Sequence, residues 1–251
     1  MEGDGVSDWS AIRYIAHRCG GALAPENSLA GLVAAHAQGL RAVEFDVMLS
    51  GDGTPAVIHD ETLERTTNGV GRVADTPDAI LFGLSLARGR FAQFTGERVP
   101  TLAAVAARCR ELDLLANVEI KPSEGTAVAT AQRVVADVQQ LWAGGRAPLL
   151  SSFSEDALAV AQELAPEIPR ALLVERVPAD WAQRLTRLGC CALHCNARQW
   201  SWRWLAAAQE KGLDVRCYTV NRPWLAQRLL QRGVAAVFTD AIDRVVGANA
   251  S

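Results

Sequence analysis

Short apolar runs and longer amphipathic stretches alternate along most of this chain. The runs, each of roughly five apolar residues, fall at 12–17, 42–48, 115–121, 148–153, 170–174, 190–195, 213–220 and 235–239. Runs of that length predict strands buried on both faces. Ala/Leu/Arg-rich stretches between them predict helices over 27–38, 101–112, 125–142, 155–164, 179–188, 200–211 and 222–232. Asn27 after Pro25, and Thr101 after Pro100, are placed to cap helix starts. Gly39, Gly189, Gly212 and Gly233 fall just past predicted helix ends, where a left-handed residue is wanted.

Eight strands separated by helices predict a closed α/β structure, a TIM (β/α)8 barrel. Two features break the alternation. Residues 49–54 (Leu-Ser-Gly-Asp-Gly-Thr) are too few for a helical crossover. Pro55–His59 is therefore expected to fold back as a hairpin arm on the strand before it. Residues 60–100, rich in Gly, Thr, Asp and Arg, then read as a small insertion at the C-terminal face of the barrel. A single domain over 1–251 accommodates all of this. A doubly wound sheet is the other architecture for such a pattern. Polar residues at nearly every strand end favour the barrel, whose rim needs them.

Those strand ends carry the candidate chemistry. The segments are Ala16-His17-Arg18, Glu44-Phe45-Asp46, Ile58-His59-Asp60 and Glu119-Ile120-Lys121. A spacing of two puts Glu44 with Asp46, and Glu119 with Lys121, on one face of a strand. Each acid sits inside an apolar run, where an unpaired charge costs several kcal/mol or more. Glu44, Asp46 and Glu119 thus call for a cation, and an all-carboxylate set favours Mg²⁺ or Ca²⁺. Arg18 and Lys121 can neutralise Glu44 or Glu119, bind a phosphate, or do both. His17 and His59, each beside a charged residue at an element end, suit a reaction that needs one base and one acid. The chain has four histidines. His36 falls mid-helix, as surface or packing. His194 ends a later strand and can line a pocket.

Composition narrows the partners. The chain has 251 residues, 49% hydrophobic and 21% charged, enough for a large core. A net charge of −3 argues against a nucleic-acid or anionic-membrane partner. No run of ~18 apolar residues predicts a membrane span. The first residues lack the basic and apolar regions of a signal peptide. Six cysteines show no paired framework, and Cys191 with Cys195 lacks the second pair a zinc site requires. Free thiols point to a cytoplasmic setting. Trp200, Trp202 and Trp204, spaced by two, place at least one ring toward solvent or the pocket mouth, where it can pack or wall off a quaternary ammonium.

At these residues a family resemblance enters. His17-Arg18-Cys19-Gly20-Gly21, Pro25-Glu26-Asn27-Ser28, Glu44-Phe45-Asp46-Val47 and His59-Asp60 resemble the glycerophosphodiester phosphodiesterases. So do Leu63-Glu64-Arg65-Thr66-Thr67-Asn68-Gly69, Glu119-Ile120-Lys121-Pro122, Leu150-Ser151-Ser152-Phe153, Tyr218-Thr219-Val220-Asn221 and Phe238-Thr239-Asp240. The likeness is closest to the cytoplasmic bacterial branch linked to glycerol-3-phosphate uptake. It implies a TIM barrel with a family insertion after His59. It also implies metal ligation by Glu44, Asp46 and Glu119, acid–base work by His17 and His59, and phosphate contact by Arg18 and Lys121. The implied reaction is hydrolysis of glycerophosphodiesters, such as glycerophosphocholine and glycerophosphoethanolamine, to sn-glycerol 3-phosphate and an alcohol. Glu26, Phe153, His194 and Tyr218 are further candidates for the pocket wall. Cys19 and Tyr218 depart from the family's usual Gly and Trp, and Ser28 from its usual Thr. Two other activities fit the same barrel. A lysophospholipase D needs an apolar entrance for an acyl chain, for which Ile80, Leu81, Phe82, Phe91 and Phe94 are the available residues. A non-catalytic glycerophosphodiester-binding protein would be expected to lack one of the acids or histidines.

Overall fold

The computed structural model describes residues 7–199 and 201–245. Nine strands are β1 (Tyr14–Ala16), β2 (Ala42–Leu49), β3 (Pro55–Val57), β4 (Leu115–Ile120), β5 (Leu149–Ser152), β6 (Arg170–Val174), β7 (Ala192–Asn196), β8 (Asp214–Tyr218) and β9 (Ala236–Thr239). All but β3 run parallel, in the order β1-β2-β4-β5-β6-β7-β8-β9. The β9–β1 and β1–β2 pairings close the ring. This is the predicted TIM barrel. The expected hairpin is there too: β3 runs antiparallel to the upper half of β2, with Val47 opposite Val57.

The helices are α1 (Ser7–Ser10), α2 (Leu29–Ala37), α3 (Asp78–Leu81), α4 (Leu102–Glu111), α5 (Ala127–Leu141), α6 (Glu155–Leu164), α7 (Trp181–Arg187), α8 (Trp202–Glu210), α9 (Pro223–Gln231) and α10 (Ile242–Val245). Their apolar stripes build the shell around the barrel. On α5 the stripe is Ala131, Val134, Val135 and Val138, all fully buried. A valine so buried contributes about 1.5–3 kcal/mol. Thr101 caps α4 as predicted, its side chain accepting from the Ala104 N–H at 3.1 Å. The α2 cap is Ser28, not Asn27: Ser28 Oγ accepts from the Gly31 N–H at 3.0 Å. Asn27 is otherwise engaged, as described below. The four glycines expected past helix ends all have positive φ, between 57° and 95°.

Inside the barrel the floor is small and apolar. Ile15, Ala42, Leu115, Leu149, Ala171, Ala192 and Ala236 meet Phe238, and Trp9 and Ile12 plug the N-terminal end. The alanines leave room for a large buried residue, Arg216, whose guanidinium lies 4.9 Å from the Trp9 ring and pairs with Asp214 at 3.0 Å. Above this floor the inward positions turn polar, which is where the site lies.

The segment between β3 and α4 has little regular structure beyond α3 and two 3-10 turns. It is held by a small apolar cluster that joins Met48, Ala56 and Ile58 of the hairpin to Leu63, Val73, Leu81, Leu86 and Val99. It lies on the arm that carries His59. No helix among the described residues is long and apolar enough to cross a membrane.

Candidate active site

The parallel register aligns the acids. Asp46 pairs with Glu119 and Glu44 with Asn117 across β2 and β4, so all four side chains share the inner face. Glu44, Asp46 and Glu119 are buried, with one carboxylate oxygen from each within 4.8 Å of the others. Among the described residues they are the one group of three or more acid, His or Cys side chains that converges this way. Burial and the neighbouring Asp46 charge push the Glu44 carboxyl up to about 7. Burial, then Asp46 and Glu44, push Glu119 well above the usual carboxylate range. Burial opposes the charge on Asp46 too, but Lys121, His59 and Arg18 outweigh it and hold Asp46 below the ordinary value. Glu119 Oε1 and Asn117 Oδ1 are buried without a hydrogen-bond partner. A buried, acceptor-only oxygen beside two other carboxylates is the donor set a hard cation needs.

Lys121 Nζ reaches across the register to Asp46 Oδ1 at 3.2 Å, so its ion pair is with that acid, while its charge also acts on Glu119. Asn27 Nδ2 donates to Asp46 Oδ2 at 3.0 Å. This contact is why Asn27 lies outside the helix: its φ of 56° turns the side chain inward, and the cap passes to Ser28. Asn117 Nδ2 donates to Ser151 Oγ at 2.8 Å.

The turn after β1 is built for close packing. Arg18 and Cys19 have φ of 51° and 71°, the left-handed conformation a glycine would take most easily. Cys19 keeps that shape and fills the core beneath it. A Cβ on Gly20 would lie 2.4 Å from Gly31 Cα, so only two glycines let α2 press onto the turn. The result aims the Arg18 N–H at Glu44 Oε2, 2.9 Å away. The Arg18 guanidinium donates to Glu26 at 3.1 and 3.2 Å.

Each predicted histidine has a carboxylate behind it. His17 Nδ1 is 2.6 Å from Asp240 Oδ1, and His59 Nδ1 is 2.6 Å from Asp60 Oδ1. A carboxylate only accepts, so the proton lies on Nδ1 and Nε2 faces the acids. These Nε2 atoms stand 3.9 Å from Glu44 Oε2 and 4.0 Å from Asp46 Oδ1. Burial lowers the pKa of both rings. For His17 the Asp240 hydrogen bond and the Glu44 charge prevail, and the net shift is upward. For His59 burial prevails, aided by Arg18 and Lys121. Arg65 ties the two halves of the site together, bonding Asp60 and, at 2.6 and 2.7 Å, Glu26. Its hydrogen bond holds Asp60 well below the usual range.

The cavity above the acids holds about 380 Å³. Phe153 and Tyr218 form one wall, edge to face at 6.1 Å, and Glu175 and Asn196 add polar groups. His194 lies at its base, fully buried against Phe238 at 4.9 Å, and burial beside Arg216 pulls its pKa well down. Glu26 stands away from the acid trio, between Arg18 and Arg65. His36 is exposed on α2. Trp204 packs against the helix shell and donates to the Gln199 carbonyl at 3.3 Å, so it is no part of the cavity wall. Trp200 lies outside the described residues.

Sequence reasoning gave no role to Asp240, Asn117 or Glu175, and read Asn27 only as a helix cap. Asp240 left a usable signal, an acid directly past the last strand and so on the catalytic rim. The others depend on which strands become neighbours.

Known proteins resemble this chain along nearly its whole length. The Glycerophosphoryl diester phosphodiesterase family profile matches residues 17–244. A glycerophosphodiester phosphodiesterase of Caldanaerobacter subterraneus is 30% identical over 90% of this chain and 93% of its own. The protein YqiK of Bacillus subtilis is 31% identical over 91% of this chain and 94% of its own. A phosphodiesterase of Oleispira antarctica, solved with the product sn-glycerol-3-phosphate, superposes with a TM-score of 0.92 at 36% identity, covering 95% of this chain and 97% of that one. A match that runs from His17 of the first dyad past Asp240, with all three acids between, leaves one assignment: the chain belongs to the glycerophosphoryl diester phosphodiesterase family.

Proposed function

We propose that this enzyme hydrolyses glycerophosphodiesters, including glycerophosphocholine and glycerophosphoethanolamine, to sn-glycerol 3-phosphate and an alcohol, using a divalent cation and two histidines. The observation that carries the reading is the meeting of three buried carboxylates with two carboxylate-backed imidazoles around one cavity. The product bound by the Oleispira relative supports the choice of substrate class.

Glu44, Asp46 and Glu119 would hold the cation, Mg²⁺ or Ca²⁺. When bound, it supplies charge that draws in the phosphodiester and offsets negative charge developing on its oxygens. Arg18 and Lys121 add fixed positive charge on the same oxygens. Asn27 holds Asp46 in the orientation the trio requires. The two Nε2 atoms divide the proton traffic, one accepting from the nucleophile and the other donating to the leaving alkoxide. Asp240 and Asp60 keep those tautomers in place. The nucleophile is water or the glycerol 2-hydroxyl, and a 2-deoxy substrate separates the routes because only the second needs that hydroxyl. Phe153, Tyr218, Glu175 and Asn196 give the glycerol arm an apolar wall and hydroxyl partners.

A lysophospholipase D reading needs an apolar channel. Leu81 is buried in the cluster under the insertion, and Phe91 and Phe94 pack on each other at 5.9 Å with Arg90 over the first. These residues favour the small, polar substrate. Free thiols at all six cysteines are in keeping with action in the cytosol.

The test is glycerol 3-phosphate release from glycerophosphocholine by purified protein, before and after chelation. Turnover should stop on chelation and return with Mg²⁺ or Ca²⁺. Full activity after thorough chelation, or no turnover under any condition, would overturn the reading.

A further inference from the structure

A second cavity, of about 480 Å³, adjoins the catalytic one and shares Arg18 with it. Its size is within the range of small-ligand sites. Its wall is made by the turn after β1, by the insertion and by α10. Arg18, Arg65, Arg88, Arg90 and Arg244 line it, against the acids Glu26 and Asp240. A surplus of positive charge in a chain of net charge −3 is a local property of this wall.

The acids do not cancel these cations evenly. Glu26 is taken by Arg18 and Arg65. Asp240 is taken by His17 and by Asn221 Nδ2 at 2.9 Å. Arg88 donates to the carbonyls of Glu64 and Thr67, which position it without neutralising it. Arg90 lies over the Phe91 ring, 4.6 Å from its centroid. Among the described residues Arg244 has a carboxylate only at 3.9 Å, on the exposed Asp243. Three guanidinium groups thus face one basin with their charge in surplus.

The basin lies where the second arm of the substrate must go. Resting on the reading above, the phosphate is at Arg18 and the glycerol arm is in the cavity under Phe153 and Tyr218. The alcohol then leaves past Arg18 and Asp240, both of which border the basin. We propose that this basin receives the leaving alcohol and selects glycerophosphodiesters whose alcohol carries a further phosphate. A phosphate is the ligand that guanidinium forks bind best, and its near-double charge matches the surplus. A choline or ethanolamine cation meets like charge there and gains nothing.

The test uses two substrates that differ by one group: sn-glycerol 3-phosphate esterified to 1,3-propanediol, with and without a phosphate on the far hydroxyl. Both release glycerol 3-phosphate, so one assay reads both. Wild-type kcat/KM should favour the phosphorylated ester by roughly ten- to a hundredfold, as expected of two or three half-exposed charge-assisted contacts. That ratio should fall at least tenfold in Arg90→Ser/Arg244→Ser and be largely kept in Arg90→Lys/Arg244→Lys, which preserves the charge. A wild-type ratio within threefold overturns the proposal while leaving the diesterase activity standing. So does a serine pair that keeps the wild-type ratio, since the surplus charge then selects nothing. Failure to cleave either ester or glycerophosphocholine overturns the underlying reading, and this one with it.

Discussion

Asp240→Asn removes one negative charge from behind His17 and changes little else in shape. The consequence follows from the hydrogen bonds. Asn221 Oδ1 accepts from the Asp240 N–H at 2.8 Å and from Thr239 Oγ1 at 3.2 Å, which turns its NH₂ toward Asp240 Oδ2, 2.9 Å away. In the variant the new amide oxygen must face that NH₂. Its own NH₂ then faces His17 Nδ1, where a carboxylate oxygen stood at 2.6 Å. Two donors cannot share that contact, so the ring proton moves to Nε2. An imidazole protonated at Nε2 and neutral can neither accept a proton there nor give one readily. The loss expected for disabling one acid–base partner is ~10²–10⁴-fold in kcat. This is about 3–5 kcal/mol of transition-state stabilisation. KM should change little, since Asp240 acts on His17 and leaves the phosphate contacts alone. Steady-state release of glycerol 3-phosphate gives both constants, and a thermal melt checks that the variant folds. A kcat within threefold of wild type would refute the reasoning, and a rise in KM alone would move Asp240 to a binding role.

Further outcomes follow from other contacts. His17→Ala and His59→Ala should each lose ~10²–10⁴-fold in kcat, whereas His36→Ala, on an exposed face of α2, should match wild type in the same assay. Asn27→Ala removes the donor to Asp46 and should raise the Mg²⁺ or Ca²⁺ concentration for half-maximal activity by ~10-fold or more, read from a metal titration after chelation. The chelated protein should lose stability as pH rises. Glu44 titrates at about 7 in the cation-free fold against 4.5 ordinarily, so between those values the folded state binds more protons than the unfolded one, and the melting temperature should drop across that window. Added cation should remove the drop; a chelated melting curve that is flat from pH 5 to pH 7.5 would contradict the crowding of the three acids.

How much of this was legible in the sequence depended on how local each signal was. The eight parallel strands followed from apolar runs alone, because a strand covered on both faces has no polar alternation to hide it. The hairpin arm followed from the shortness of 49–54. The pairing of Glu44 with Asp46 needed only the two-residue period of a strand. Asn27 shows the limit. Its neighbours made it look like a helix cap, yet a contact with Asp46, nineteen positions on, turns it inward. Lys121 was read as a partner for Glu44 or Glu119, but the register of β2 against β4 sets Asp46 within its reach. The basin of arginines could not be read at all, since its members come from the chain's start, the insertion and the far end. The Trp cluster drew attention by its spacing of two, and Trp204 proved to serve packing.

The hairpin register has a consequence for how such an enzyme can diversify. His59 is carried by an arm zipped to β2, with Val47 opposite Val57, and β2 is also the strand of Glu44 and Asp46. Its position is therefore inherited from the barrel, and the forty residues or so that follow are tethered to that hairpin by a shared apolar cluster and by hydrogen bonds of Ser50 and Thr54 to Asp78, and to the turn after β1 by Arg65. Variation beyond Asp60 and Arg65 can reshape the wall of the arginine basin while the acids and histidines stay where they are. Bond-breaking and substrate choice are thus separately heritable, and new substrates are open to this scaffold at little risk to the chemistry.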